Sequence, residues 1–363
     1  MNLTFDGTSV QGGNEARERF YDARGYGRPH DGGVDLAPVE VAHLLFRGDI
    51  ESIHDSRPDS DDDVDFESLL ASTAVSEVEF FVYKELRDRG FYLSPVRNTL
   101  NSTSGAAQTP VQFQVYPRGD GPWDDTIAYR VTAVSERATV DATTLCRLAY
   151  DSNGDTGGTA VLAVVDEESE VTYLELTEPT VTGSTDHDFP PFAGRLLSDR
   201  VLVPEPPTEL HERAFYGQPL DRDDEPVQLS LIEAASLSNR GLLSLDADGP
   251  AEDSAEIIDR GREVEGERFD RRLCVYNALR TADIVPKTGF KFGADFRTYA
   301  NVESVDNLGH SEFLVRALPP AHSFVPRDLS LDVRLAHGVR KRMLFAFTSD
   351  DDIDWLSVER LTP

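Results

Sequence analysis

The sequence is poor in cysteine, poor in basic residues and free of long apolar runs. Two cysteines in 363 residues, Cys146 and Cys274, exclude a disulfide scaffold and a thiolate metal cluster. No uninterrupted apolar stretch is long enough to span a bilayer, so no membrane partner is expected. The opening residues, MNLTFDGTSVQGG, lack a basic region followed by an apolar run. No signal peptide is therefore expected, and the expectation is a soluble cytoplasmic protein. There is no GxGxxG or GK[ST] phosphate loop, no HExxH and no CxxC. The eight histidines do not cluster at ligand spacing. Neither a metal nor a cofactor is expected.

Only 35 Lys and Arg stand against 66 Asp and Glu, for a formal charge of -31. Such a chain should repel a polyanion. Yet the acid is spread over both halves and lies beside few lysines. That pattern fits work in very high salt, where the Debye length falls to about 3 Å at 1 M and net charge loses its veto over partners. The plainer alternative is an acidic protein of an ordinary cytoplasm. The length implies two domains or three, and 39% hydrophobic with 9% aromatic residues suffices for a folded chain.

A weak internal repeat organises the sequence. Phe20-Tyr21 precedes an apolar-periodic segment over 36–46 that ends at Arg47-Gly48. Phe215-Tyr216 precedes a similar segment over 227–237 that ends near Arg240-Gly241. A glycine after the last periodic residues is a helix stop. Longer helices are expected over 75–89 (Val78, Phe81, Val82, Leu86) and 262–280 (Phe269, Leu273, Tyr276, Leu279). Short strands are expected next: 129–134 over 313–318, 147–150 over 334–337, 161–165 over 343–347 and 173–176 over 355–358. Arg334 and His337 also suit a helix face. Six segments in one order, offset by about 180 to 195 residues, indicate duplication of one α+β unit. The expected division is 1–180, a linker over 181–210, and 211–363. Residues 59–65, 98–109 and 151–158 read as loops.

The halves differ where chemistry would sit. The second half carries Gly289-Phe290-Lys291-Phe292-Gly293-Ala294-Asp295-Phe296-Arg297-Thr298-Tyr299, then His310, then Lys341. The first half has no equivalent of any of the three last-named positions. A histidine can protonate a leaving alkoxide near neutral pH. A tyrosine can accept a hydroxyl proton when a neighbouring lysine favours its ionised form, and a lysine can neutralise charge growing on a phosphoryl oxygen. Together they suit attack of an RNA 2′-hydroxyl on its own phosphate. Singly, each has an ordinary place: Tyr299 as a half-buried strand aromatic, His310 as a loop-end histidine, Lys341 as a solvated lysine. Asp295 is expected to cap or buttress, and Gly293 to allow close backbone packing.

FKFGADFRTY, GHSEFLVRAL, RLAHGVRKRMLFAF and IDWLSVER resemble the catalytic domain of the archaeal tRNA-splicing endonucleases. The likeness is close over about 285–360. The first half resembles the degenerate, non-catalytic copy found in duplicated members of that family. The resemblance implies an α+β fold in tandem. Each unit has a small helical or mixed N-terminal subdomain (about 1–95 and 211–282). An α/β nuclease subdomain with a central mixed sheet follows (about 96–180 and 283–363).

It further implies that Tyr299 is the general base, His310 the general acid and Lys341 the charge-stabilising residue. No metal or cofactor takes part. The implied substrate is precursor tRNA cut at both exon–intron junctions of a bulge-helix-bulge, leaving 2′,3′-cyclic phosphate and 5′-hydroxyl ends. Two arginines sandwich a flipped bulge base, and their positions match Arg334 and Arg360. Planar cations suit that role. One active set per chain implies a homodimer. An acidic loop, 119–125 or 151–155, is implied to dock across it, and the last strand of each unit (174–176, 355–358) to supply main-chain pairing. A non-catalytic RNA-binding subunit and a generic acidic α+β protein are the competing readings. The presence of Tyr299, His310 and Lys341 together speaks against the first.

Overall fold

A computed structural model describes residues 2–57, 63–96, 111–152, 157–221, 226–245, 253–349 and 352–363. The expected loop over 98–109 lies outside the described residues, as do 59–62 of the acidic run and 153–156 of the third loop. The chain divides into two units. One is Met1–Glu178 with Ser323–Leu331 and Glu359–Pro363; the other is Pro179–His322 with Asp332–Val358.

The first unit opens with short strands β1 (Leu3–Phe5), β2 (Val10–Gly12), β3 (Arg28–His30) and β4 (Gly33–Leu36). Helix α1 (Pro38–Phe46) follows, then β5 (Ile53–Asp55), β6 (Asp63–Val64) and helix α2 (Glu77–Asp88). The order across this sheet is β3-β4-β2-β1-β5-β6. A second sheet holds β7 (Leu93–Pro95), β8 (Phe113–Val115), β9 (Tyr129–Ser135), β10 (Thr159–Val165) and β11 (Val171–Thr177). Within it only β9 and β10 run parallel, and helix α3 (Ala142–Ser152) makes that crossover. A parallel pair needs such a connection. β10 reads TAVLAVV, nearly all apolar, and six of its seven residues are buried.

The second unit repeats the plan. β12 (Arg195–Leu196), β13 (Arg200–Val203), β14 (Gln218–Pro219) and β15 (Val227–Ser230) take the order β12-β13-β15-β14, the counterpart of β1-β2-β4-β3. Helices α4 (Leu231–Asn239), α5 (Asp253–Glu265) and α6 (Arg268–Thr281) follow. Then come β16 (Val285–Thr288), β17 (Phe296–Tyr299), β18 (Phe313–Leu318), α7 (Pro326–Gly338), β19 (Arg342–Thr348) and β20 (Ile353–Leu361), although α7 up to Leu331 and β20 from Glu359 group with the first unit. Again only one neighbouring pair, β18 and β19, is parallel, with α7 between them.

Buried details duplicate as well. Glu40 at the start of α1 accepts from the backbone N–H groups of Gly27 and Ala37; Glu233 at the start of α4 accepts from those of Gly217 and Ser230. The Arg87 guanidinium lies 3.7 Å from the Tyr26 ring centre, and that of Arg280 lies 3.7 Å from Tyr216. The α+β duplication is therefore present at the level of side chains.

Several local expectations change. Tyr26, not Tyr21, is the counterpart of Tyr216: the Tyr26 N–H bonds the Phe20 carbonyl as the Tyr216 N–H bonds that of Leu210. Residues 227–230 form a strand, so the helix starts only at Leu231, where Ser230 and Glu233 close a capping box. The helix expected over 262–280 is two helices, broken at Gly266 (φ +64°). Residues 147–150 and 334–337 are helical, because they carry the crossovers between parallel strands. The stretch expected to be a linker holds β13, paired with β15, and residues 183–185 bond to backbone at 282–283 and 300. Among the described residues no helix is long and apolar enough to cross a membrane.

Candidate active site

Tyr299 ends β17, a four-residue strand held on both sides. Across one ladder Tyr299 faces Val285; across the other, Phe296 and Arg297 face Val315 and Leu314. The Tyr299 ring is buried among Phe215, Val285 and Val302, with the Phe215 ring centre 5.8 Å away. The neighbouring backbone is pinned by the former connector. Ser184 N–H bonds the Ala300 carbonyl at 2.8 Å, and Val302 N–H bonds Thr185 Oγ1 at 2.9 Å.

His310 is exposed, on the segment between a short turn (Val305–Asn307) and β18. Its neighbours are fixed to the other two chain segments. The Glu312 N–H bonds the Thr298 carbonyl, next to Tyr299. The Glu312 carbonyl accepts from the Arg342 N–H, next to Lys341. Lys341 Nζ itself donates to the Ser311 carbonyl at 3.2 Å. Three segments far apart in sequence thus meet at residues 311–312.

Lys341 reaches that place because α7 ends sharply. Arg340 takes a left-handed conformation (φ +57°), and the Lys341 N–H bonds back to the Ala336 carbonyl. The Lys341 ammonium lies 5.9 Å from the Phe292 ring centre. Burial, aided by the charge of Arg297, lowers its pKa from the ordinary lysine value.

Asp295 buttresses the strand. Its Oδ2 accepts from the Ala317 N–H at 2.9 Å, and Oδ1 takes Arg268 and pairs with Arg272, both on α6. Gly293 serves a different purpose from the one expected. A Cβ there would meet nothing within 4 Å, and the residue is needed instead for its left-handed φ of +69°. Close packing belongs to Gly289, where a Cβ would sit 2.8 Å from the Ala294 carbonyl oxygen.

Arg334 is exposed on α7, seven residues before Lys341. Arg360 is exposed near the end of β20, among residues that group with the first unit, outside the unit holding Tyr299, His310 and Lys341. Among the described residues no group of three or more His, Cys, Asp or Glu is placed to hold a metal ion.

Sequence reasoning missed Arg297 and the buried pair of Lys287 with Glu233. Lys287 Nζ lies 2.7 Å from Glu233 Oε1 and also donates to the carbonyls of Phe215 and Gly217. Burial alone would raise the Glu233 pKa, but Lys287 and the backbone donors override it and hold it at about 2. The available signal was alternation: Arg297 stands two residues before Tyr299, on the same face of the strand.

Residues 269–355 match the family described as tRNA intron endonuclease, catalytic C-terminal domain. Residues 1–70 and 192–258 each match tRNA intron endonuclease, N-terminal domain, consistent with two copies. A tRNA-splicing endonuclease of Haloarcula marismortui is 58% identical over 366 residues, covering 100% of both chains. Another, of Natronomonas pharaonis, is 53% identical, covering 98% of this chain and 97% of that one. A third, of Methanosarcina acetivorans, is 34% identical over 99% of both. Similarity of this extent, together with the duplicated fold, means that the chain belongs to the tRNA intron endonuclease family, in its archaeal type.

Proposed function

We propose that the protein excises introns from precursor tRNA by cutting both exon–intron junctions of a bulge-helix-bulge. The observation that carries this reading is the Lys341 bond to the Ser311 carbonyl, which ties Lys341 to the residue after His310 on a segment bonded beside Tyr299. Tyr299, in its ionised form, takes the proton of the 2′-hydroxyl. The freed 2′-oxygen attacks the adjacent phosphorus, and the bond to the 5′-oxygen breaks. His310 gives that oxygen its proton. Lys341 neutralises charge gathering on the non-bridging oxygens. The products are a 2′,3′-cyclic phosphate and a 5′-hydroxyl, with water and metal taking no part.

Arg334 and Arg360 stack on a flipped bulge base from its two sides. Because each chain has one such set and the substrate needs two cuts, the working form is a homodimer. The acidic loop that docks across it is 119–125 or 151–155, the latter partly outside the described residues. The charge balance and the haloarchaeal relatives support action at high salt. Incubation with a bulge-helix-bulge RNA in molar KCl with EDTA tests the proposal. Two cuts at the junctions are expected; an intact RNA, or cutting only after a divalent ion is restored, overturns it.

A further inference from the structure

We propose that Arg297 binds the RNA as well, taking a phosphate adjacent to the one that is cleaved. This inference rests on the endonuclease reading above. Arg297 and Tyr299 share one face of β17, and the Arg297 guanidinium lies 5.8 Å from the Tyr299 ring centre. Directly across the antiparallel ladder stands Lys287. Like charges in that relation are destabilising, so the placement has a cost. Broken local rules of this kind mark functional sites.

Lys287 is neutralised by Glu233. Arg297 is not. Among the described residues it forms no ion pair, and its buried Nε has no hydrogen-bond partner. Its charge also reaches Lys341, where it adds to the effect of burial. With Lys287, Thr288 and Phe215 it lines a cleft of about 450 Å³, and Phe215 packs on Tyr299 from there. Of the cations lining that cleft, Arg200 pairs with Asp199, Arg272 with Glu265 and Asp295, and Lys287 with Glu233, which leaves the charge of Arg297 unmet in a chain of net charge -31. The guanidinium fork matches phosphate oxygens, and the expected substrate is a polyanion. Lys341 serves the scissile phosphate, so Arg297, about a ring's width from Tyr299, is left for its neighbour. A carboxylate of a second copy of the chain is the competing occupant. The nearness of Tyr299 and the reach to Lys341 favour RNA.

A double-mutant cycle tests the assignment. The probe is a bulge-helix-bulge RNA made uncleavable by 2′-deoxy substitution at the attacking nucleotides. It carries a neutral methylphosphonate at one flanking phosphate at a time. For one of the two positions the parent protein should lose about tenfold in affinity. Arg297→Gln should lose about tenfold on the natural backbone and within about twofold more on the neutral one. Losses that multiply at both positions overturn the assignment, as does parent affinity for Arg297→Gln. If the losses multiply and sedimentation shows Arg297→Gln dissociating, the anion is a carboxylate of a second copy, and the proposal also fails. Should Arg297→Gln not fold, the same cycle is run on Arg297→Lys, which keeps the charge but loses the fork; coupling is again expected and multiplying losses again overturn the idea. Cleavage of unmodified RNA by the parent is the control. Its absence would count against the endonuclease reading, whereas cleavage without coupling counts against Arg297 alone.

Discussion

At the residue scale, bonds at residues 311–312 tie together the three segments that carry Tyr299, His310 and Lys341. Tyr299 is locked in apolar packing, Lys341 is tied to a carbonyl, and His310 is left exposed. An exposed histidine can approach a leaving oxygen without rearrangement of the core. Replacing it should therefore remove chemistry and spare binding. For His310→Ala, single-turnover cleavage should fall by about 10²- to 10⁴-fold, with RNA affinity unchanged within a few fold. Cleavage at the parent rate would refute its role as acid. Tyr299, His310 and Lys341 stood out in the sequence as candidates because the first half lacks them. Arg297 was not, because its interest lies in the cation across the ladder, and register is invisible without the fold. Gly293 was misread for a related reason: a glycine's need for positive φ and its need for space look alike in sequence.

At the scale of elements, both repeats start a helix with a buried glutamate that accepts from backbone N–H groups just before the helix and some 13 to 16 residues earlier. In the second repeat that acid carries Lys287; by the 193-residue offset of Arg87 and Arg280, the first repeat has Ser94 there. The Glu233 pKa, held near 2, is below that of an exposed glutamate, about 4.3. The pair's contribution is thus present above about pH 4.3 and lost as pH falls through about 2. Lys287→Met leaves a buried carboxylate alone and should cost about 3–5 kcal/mol at neutral pH. Denaturant unfolding measures this. The double variant Lys287→Met, Glu233→Leu should recover much of the loss, and an unchanged midpoint for Lys287→Met would show that the pair is inert. The buried face of α6 was legible from apolar spacing; on α2 Val82 and Leu86 were, whereas Phe80 and Tyr83 are buried and Val78 and Phe81 only partly so. The strand at 227–230 was not, because Val227 and Leu229 fit both the alternation of a strand and the start of a helical stripe.

At the scale of the whole molecule, the proposed reading reconciles the charge of -31 with a nucleic-acid substrate by resting on a few local cations. At molar salt, counterion release adds little to affinity. Recognition then leans on stacking, shape and fixed phosphate contacts. The duplication was legible from offsets alone, although the pairing of Tyr26 with Tyr216 emerged only from matching turns. On the proposed reading, one catalytic set per chain and two cuts per substrate call for a dimer. Sedimentation in molar KCl should give a species of twice 40.2 kDa that cleaves both junctions. A fully active monomer would rule that out.

The central claim is intramolecular attack by the RNA's own 2′-hydroxyl, assisted by Tyr299, His310 and Lys341. The most direct measurement is the chemistry of the cut ends after cleavage in EDTA. A 2′,3′-cyclic phosphate opposite a 5′-hydroxyl is expected at both junctions, and a 3′-hydroxyl opposite a 5′-phosphate at either one would contradict it.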